Sequence, residues 1–252
     1  MQESMPAAAA EAPMRDLGQG SASPATARAD ADPLADPRAL QILSTEHWSL
    51  LATRSLAYNE AFTRTGMFLT FLSATLIVIG FLIGAQGLSA SILPIAIVLL
   101  FADLFIGAAT VGRLLDASAE ELQTVRGMNR IRHAYRDMVP GLEPYFVSGF
   151  HDDAVGVLAT YAARTAGSPL GNIVHGLTTM VGMVAIIDSM VFAALCGLIA
   201  AGIAPALGPA LLAATVGFAI AFLAFLRIGS KAAIEGQRNA ESRFPTPVDP
   251  VD

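Results

Sequence analysis

Residues 67–84 read MFLTFLSATLIVIGFLIG, eighteen positions without a charged side chain. The same character returns at 92–112, ILPIAIVLLFADLFIGAATVG, and again at 173–203 and 210–226. A helix rises ~1.5 Å per residue, so ~20 residues cross a hydrocarbon core of ~30 Å. In lipid every backbone polar group must find its partner within the protein, which a helix provides along its own length. The sequence therefore predicts an all-α, polytopic membrane protein with four transmembrane helices and a small cytoplasmic helical layer.

Composition supports this outward from the spans. Of 252 residues, 54% are hydrophobic and 14% charged, which is not the balance of a soluble domain. The net charge of −6 comes mostly from residues 1–36, with six acidic and two basic side chains. The rest is nearly neutral, so no nucleic-acid partner is expected. Residues 1–36 are rich in Ala, Pro, Ser, Gly and Asp and are read as a disordered tail. They lack a basic start followed by an apolar core and so do not form a signal peptide. Cys196 is the single cysteine and excludes an internal disulfide; it reads as a small apolar side chain. Fourteen Arg against one Lys, with abundant Ala and Gly, has the look of a GC-rich bacterial genome.

The segments between the spans have their own signals. Asp36-Pro37 is a helix start, a capping carboxylate before a first-turn proline. Residues 37–66 then read as an amphipathic cytoplasmic helix, with Trp48 and Tyr58 placed either at headgroup level or against the protein. Spans 1 and 2 form a hairpin over 67–112, joined by an uncharged loop. Residues 113–172 form a polar cytoplasmic stretch that begins as an extension of span 2. Pro140-Gly141 and Glu143-Pro144 break it, and a second helix starts at His151-Asp152-Asp153 and ends near Gly167. Spans 3 and 4 make a second hairpin over 173–228, turning at Gly202, Pro205, Gly208 and Pro209. Residues 229–252 read as a disordered C-terminal tail.

Every Lys and Arg lies before span 1, between spans 2 and 3, or from Arg227 onward. Basic residues near span ends stay on the cytoplasmic side. The expected placement is a cell inner (plasma) membrane, multi-pass, with both termini cytoplasmic and the loops 85–91 and 202–209 outside.

Asp103 and Asp188 are the costliest residues in the chain. An acid in mid-span costs ~2.5–3.5 kcal/mol or more to insert, so it faces the bundle interior or water. Asp103, Gly107 and Thr110 share one stripe of span 2, and Thr70, Ser73 and Thr75 on span 1 are candidates to complete a polar interior. One reading is a proton or cation site between spans 2 and 3; the other is a pair of protonated or hydroxyl-bonded acids that hold helices together. The two hairpins do not repeat each other: the acids fall on non-corresponding helices, unlike many transporters. Arg126, Arg130, Arg132 and Arg136 form a basic cluster read either as a contact for anionic lipid headgroups or as a solvated face paired with nearby acids. His151-Asp152-Asp153 is read as a helix cap rather than as metal ligands, and no metal site is expected. Gly80 and Gly84 in span 1, and Ala213, Gly217 and Ala221 in span 4, permit close packing within the bundle or between copies in a homo-oligomer. The common hydrolase, nucleotide, metalloprotease and redox motifs are absent, so neither catalytic residues nor a cofactor are expected.

Two stretches, STEHWSLLATRSLAYNEAF at 44–62 and RGMNRIRHAYRDMVPGLEPYFVSGFHDD at 126–153, together with the span layout, resemble an uncharacterised family of four-span integral membrane proteins from high-GC bacteria. The resemblance covers roughly residues 40–230. It carries no activity, and it implies that the cytoplasmic layer built from these stretches is ordered. The functional expectation is a non-enzymatic membrane protein, an oligomeric channel or carrier for protons or cations working through intramembrane carboxylates. The alternative is a scaffold or signalling subunit whose cytoplasmic layer binds a protein partner.

Overall fold

The computed structural model describes residues 32–87, 89, 91–161, 176–238 and 241–247. The expected N-terminal tail therefore lies, up to residue 31, outside the described residues. Among the described residues the chain is all-α, with no strand. Its α-helices are α1 (Ala39–Gln86), α2 (Ile92–Met138), α3 (Ala154–Thr160), α4 (Met180–Ile203) and α5 (Leu207–Arg238). All but α3 are long and apolar enough to cross a membrane. They define an all-α, polytopic membrane protein.

The start of α1 follows from its sequence. The Asp36 carboxylate accepts the Arg38 backbone N–H at 2.8 Å, and the Asp36 carbonyl accepts that of Ala39 at 2.9 Å. Asp32 holds a short 3-10 turn, Pro33–Ala35, just before it. At the other end Gly87 takes φ +70° and returns its N–H to the Ile83 carbonyl at 2.8 Å, a glycine stop that side chains with a β-carbon rarely adopt.

The less exposed positions of α1 include Leu43, His47, Leu50, Arg54, Ala57, Ala61, Phe68, Leu72, Thr75 and Ile79. Those of α2 include Ala96, Leu100, Asp103, Gly107, Thr110, Leu114, Glu121, Val125, Met128, Arg132 and Tyr135. Steps mostly of three and four, averaging about 3.5–3.6 residues, keep one stripe facing a partner helix over many turns. The short loop makes α1 and α2 antiparallel, and the seam continues from the apolar spans into the charged segments beyond. Each helix is about 70 Å long, more than twice a hydrocarbon core. α4 packs on α2 as well, and α5 packs chiefly on α4.

This continuity fills in the expected layout. Residues 37–66, read as an amphipathic helix leading into span 1, run without a break into it as the first part of α1. Trp48, 70% exposed, stands 19 positions before Met67, about 28 Å along the axis. α5 continues through the start of the supposed C-terminal tail to Arg238, and residues 241–247 dock on Asp152. α4 itself begins at Met180 after a break at Thr179, whose hydroxyl accepts the Gly182 N–H at 3.2 Å, and residues 176–178 before the break are also helical. The helix expected to start at His151-Asp152-Asp153 is a seven-residue piece, α3; its expected continuation toward Gly167 lies outside the described residues.

Candidate functional site

Asp103 on α2 and Asp188 on α4 are both 0% exposed, at the level where α1, α2 and α4 meet. Asp188 rests directly on the α-carbon of Gly107, one turn from Asp103. A β-carbon at 107 would overlap the Asp188 carboxylate and come within 3.0 Å of the Phe68 ring. Phe68, Val184 and Ser189, all buried, close the surroundings. All four carboxylate oxygens are buried without a partner of hydrogen-bonding geometry. Thr75, itself buried, is the hydroxyl near enough to interact with Asp103. The Thr110 and Ser189 hydroxyls donate instead to carbonyls of their own helices, Ile106 at 2.7 Å and Ala185 at 2.7 Å.

Of the expected polar interior, Asp103 and Asp188 are buried at one level, and Thr110 is buried on the same stripe of α2. Thr70 and Ser73 are not. Both are exposed on the outer face of α1 and bond the carbonyls of Gly66 and Leu69. The reason is register: Thr75 falls on the seam with Leu72 and Ile79, whereas positions 70 and 73 fall between its steps.

A cleft of about 220 Å³ opens between α1, α2 and the start of α4 on the side of the charged segments. Leu114, Ala61 and Val181 line its inner part. Leu114 and Val181 each lie seven residues, about 10 Å, from Gly107 and Asp188 respectively. At its mouth Glu121 Oε1 accepts from Arg54 Nη2 at 2.9 Å, Tyr58 Oη at 2.7 Å and Tyr161 Oη at 3.0 Å. Burial, reinforced by Glu121, pushes the Tyr161 phenol well above its ordinary value. Farther out, Arg113 and Arg64 bond Glu60 and hold its carboxyl down to about 2.

The arginine cluster is spent on partners within the protein, in the layer of charged segments beyond the spans. Arg132 is buried and donates to Asn129 Oδ1 at 2.7 Å. Arg130 pairs with Asp152 at 2.6 Å, Arg126 donates to the Gly236 carbonyl at 3.3 Å, and Arg136 reaches His133, Asp137 and Glu143. Arg126 also lies 13 residues past Arg113, the first charge after span 2, about 20 Å beyond the apolar region. These bonds within the protein favour the reading of the cluster as a face paired with nearby groups.

Two residues organise this layer that sequence reading did not single out for the task. Asn129, 0% exposed, donates to the carbonyls of His151 at 2.8 Å and Gly156 at 3.2 Å, and its own oxygen accepts Arg132 and Thr160. Asp152 binds the C-terminal segment: it accepts Ser242 Oγ at 2.7 Å and the backbone N–H groups of Arg243 at 2.9 Å and Phe244 at 2.8 Å. Burial alone would raise its carboxyl, but these donors and Arg130 outweigh it and hold it well below the usual carboxylate range. Asp153 alone is the helix cap, accepting the Gly156 N–H at 2.9 Å. That consecutive acids point apart was the signal available in the sequence. The Phe244 ring stacks on His133 at 4.3 Å between centroids.

Gly217 of the span 4 stripe packs on Cys196 and Ala193 of α4. Gly80 and Gly84 pack on nothing within the chain and lie on an exposed face. Among the described residues no group of three or more His, Cys, Asp or Glu gathers to hold a metal. The fold and the buried acids thus define a multi-pass α-helical membrane protein with an intramembrane carboxylate pair. No family model, curated protein or solved structure matches the chain.

Proposed function

We propose that this is a non-enzymatic inner-membrane protein that carries protons or small cations through the Asp103–Asp188 pair. The observation that carries the reading is the pair itself: two carboxylates, fully buried in mid-span, whose four oxygens make no hydrogen bond of good geometry, with the Thr75 hydroxyl near Asp103. Acids that serve only to tie helices together are held by donors, because an unpaired buried polar group costs ~1–3 kcal/mol and a charged one more. An acid pair left unpartnered fits a site that exchanges a proton or a cation. Gly107 gives Asp188 its room, and the cleft ending near Leu114 gives the cytoplasmic approach. The distribution of basic residues supports a cytoplasmic side for that approach and for both termini. Gly80 and Gly84, exposed on α1, favour association of copies in the membrane.

The test is flux across proteoliposomes carrying wild type, Asp103→Asn or Asp188→Asn, under proton, sodium and potassium gradients. Asn keeps the shape and cannot ionise. Both variants should lose flux at least about tenfold, while melting in detergent no lower than wild type, because no partner is lost. Wild-type flux in both variants, or no flux from wild type under any gradient, overturns the reading. The ordered cytoplasmic layer would then favour a scaffold that binds a cytoplasmic protein.

A further inference from the structure

Where α2, the end of α5 and the docked C-terminal segment meet, a cleft of about 390 Å³ is lined by Gln123, Arg126, Arg130, Gly236, Glu241 and Arg243. We propose that it binds a small phosphate-bearing anion from the cytosol, held by Arg126, Arg130 and Arg243. Three guanidiniums line the cleft; Arg130 is paired with Asp152, while Arg126 and Arg243 make no ion pair among the described residues, which leaves positive charge for a ligand.

Two of the arginines have unused donors. Arg126 is nine-tenths buried, yet its Nε is without a hydrogen-bond partner, and among the described residues it donates to the Gly236 carbonyl alone, at 3.3 Å. A buried donor left unpaired is costly unless a ligand completes it. Arg243 is fixed by its backbone N–H on Asp152, while its guanidinium, on the exposed side, makes no ion pair among the described residues. Arg130 is held by Asp152 on one edge and donates to the Glu241 carbonyl at 2.7 Å on another, so its plane is set before any ligand arrives. Planar guanidiniums fixed in this way recognise phosphate oxygens by paired N–H donors, and Gln123 adds an amide.

Size and position narrow the ligand. The cleft falls within the ~300–1,000 Å³ of small-molecule sites, more than one inorganic ion fills. A pyrophosphate or an organic phosphate fits that room. Lipid headgroups carry the same phosphate chemistry, but the cleft lies about 20 Å beyond the apolar part of α2, past the headgroup layer. The source is therefore cytosolic. The ligand would join α2, α5 and the C-terminal segment roughly 35 Å along α2 from Asp103, so the site stands apart from the transport reading.

The experiment uses the full chain in neutral detergent, with pyrophosphate as probe and thermal shift and calorimetry as readouts. Pyrophosphate should raise the melting temperature saturably, whereas sodium chloride at matched ionic strength should not. Arg243→Gln removes a guanidinium that supports no internal contact, so it should melt like wild type without probe and bind pyrophosphate about tenfold more weakly. Arg126→Lys keeps a donor for the Gly236 carbonyl and should weaken binding similarly. No saturable response in wild type, or undiminished binding in Arg243→Gln, overturns the proposal. A second arm compares nanodiscs of phosphatidylglycerol with phosphatidylcholine. Pyrophosphate binding that is equal in both supports a cytosolic ligand; binding abolished by phosphatidylglycerol assigns the cleft to a headgroup and overturns the cytosolic source.

Discussion

The carboxylate of Asp188 occupies the space where a side chain at Gly107 would begin. The acid on α4 reaches the centre of the bundle only because α2 has no β-carbon at that turn. Gly107→Ala should force one of them to move, at ~1–3 kcal/mol for overpacking a tight core. Asp188→Ala in the same chain should recover much of that loss by vacating the space. The double-mutant cycle in detergent should therefore show strong coupling, and additive effects would contradict the contact.

Asp152 ties α2 to the C-terminal segment through four donors. Asp152→Asn should release residues 241–247 and cost ~1–3 kcal/mol, since the Arg130 pair and the charge-assisted bonds are lost together. Hydrogen exchange at Arg243 and Phe244 should accelerate at least about tenfold, because ~1.4 kcal/mol is a factor of ten. Its folded carboxyl is held below the ordinary range, so this stabilisation is complete above the unfolded value and fades only as pH falls toward the folded one. Docking should persist at mildly acid pH.

Histidine sets the opposite limit. Burial, followed by Arg132 for His47 and Arg136 for His133, lowers both rings below their ordinary values. The folded state then binds fewer protons than the unfolded state as pH drops through ~6.5, so stability falls there. The His47 ring lies beside Tyr135, with Nδ1 buried and unpartnered, and His133 supports Phe244. The melting temperature should decline between pH 7.5 and pH 5.5, and His47→Gln with His133→Gln should flatten that slope. An unchanged slope in the double variant would remove these rings as its cause.

The proposed orientation is checked by single cysteines in a Cys196→Ala background. Ser89 and Ala206 flank the two outer turns and should react with an impermeant thiol reagent on spheroplasts. Ser118, on the cytoplasmic part of α2, should react only after lysis. Labelling of Ser118 on sealed cells would invert the topology.

What was legible in the sequence follows from local rules. Four apolar runs give four spans because lipid accepts backbone only as helix there, and the lack of a proline between Pro94 and Pro140 marks α2 as one rod. Asp103 and Asp188 stand out because a mid-span acid is costly wherever it points. Which hydroxyl joins them was not legible: Thr70, Ser73 and Thr75 share one helix, and only the seam with α2 puts Thr75 inside and the other two outside. The arginine cluster was equally ambiguous. Charge and spacing describe a basic face, but its partners, Asp152, Gly236 and Glu241, lie up to 111 residues away in the chain. The sequence by itself determined the elements and their relation to lipid, since both depend on residues close in the chain. Tertiary packing alone decided that Asp188 meets Gly107 and that residues 241–247 close on Asp152, because these contacts join separate helices whose register no local pattern encodes.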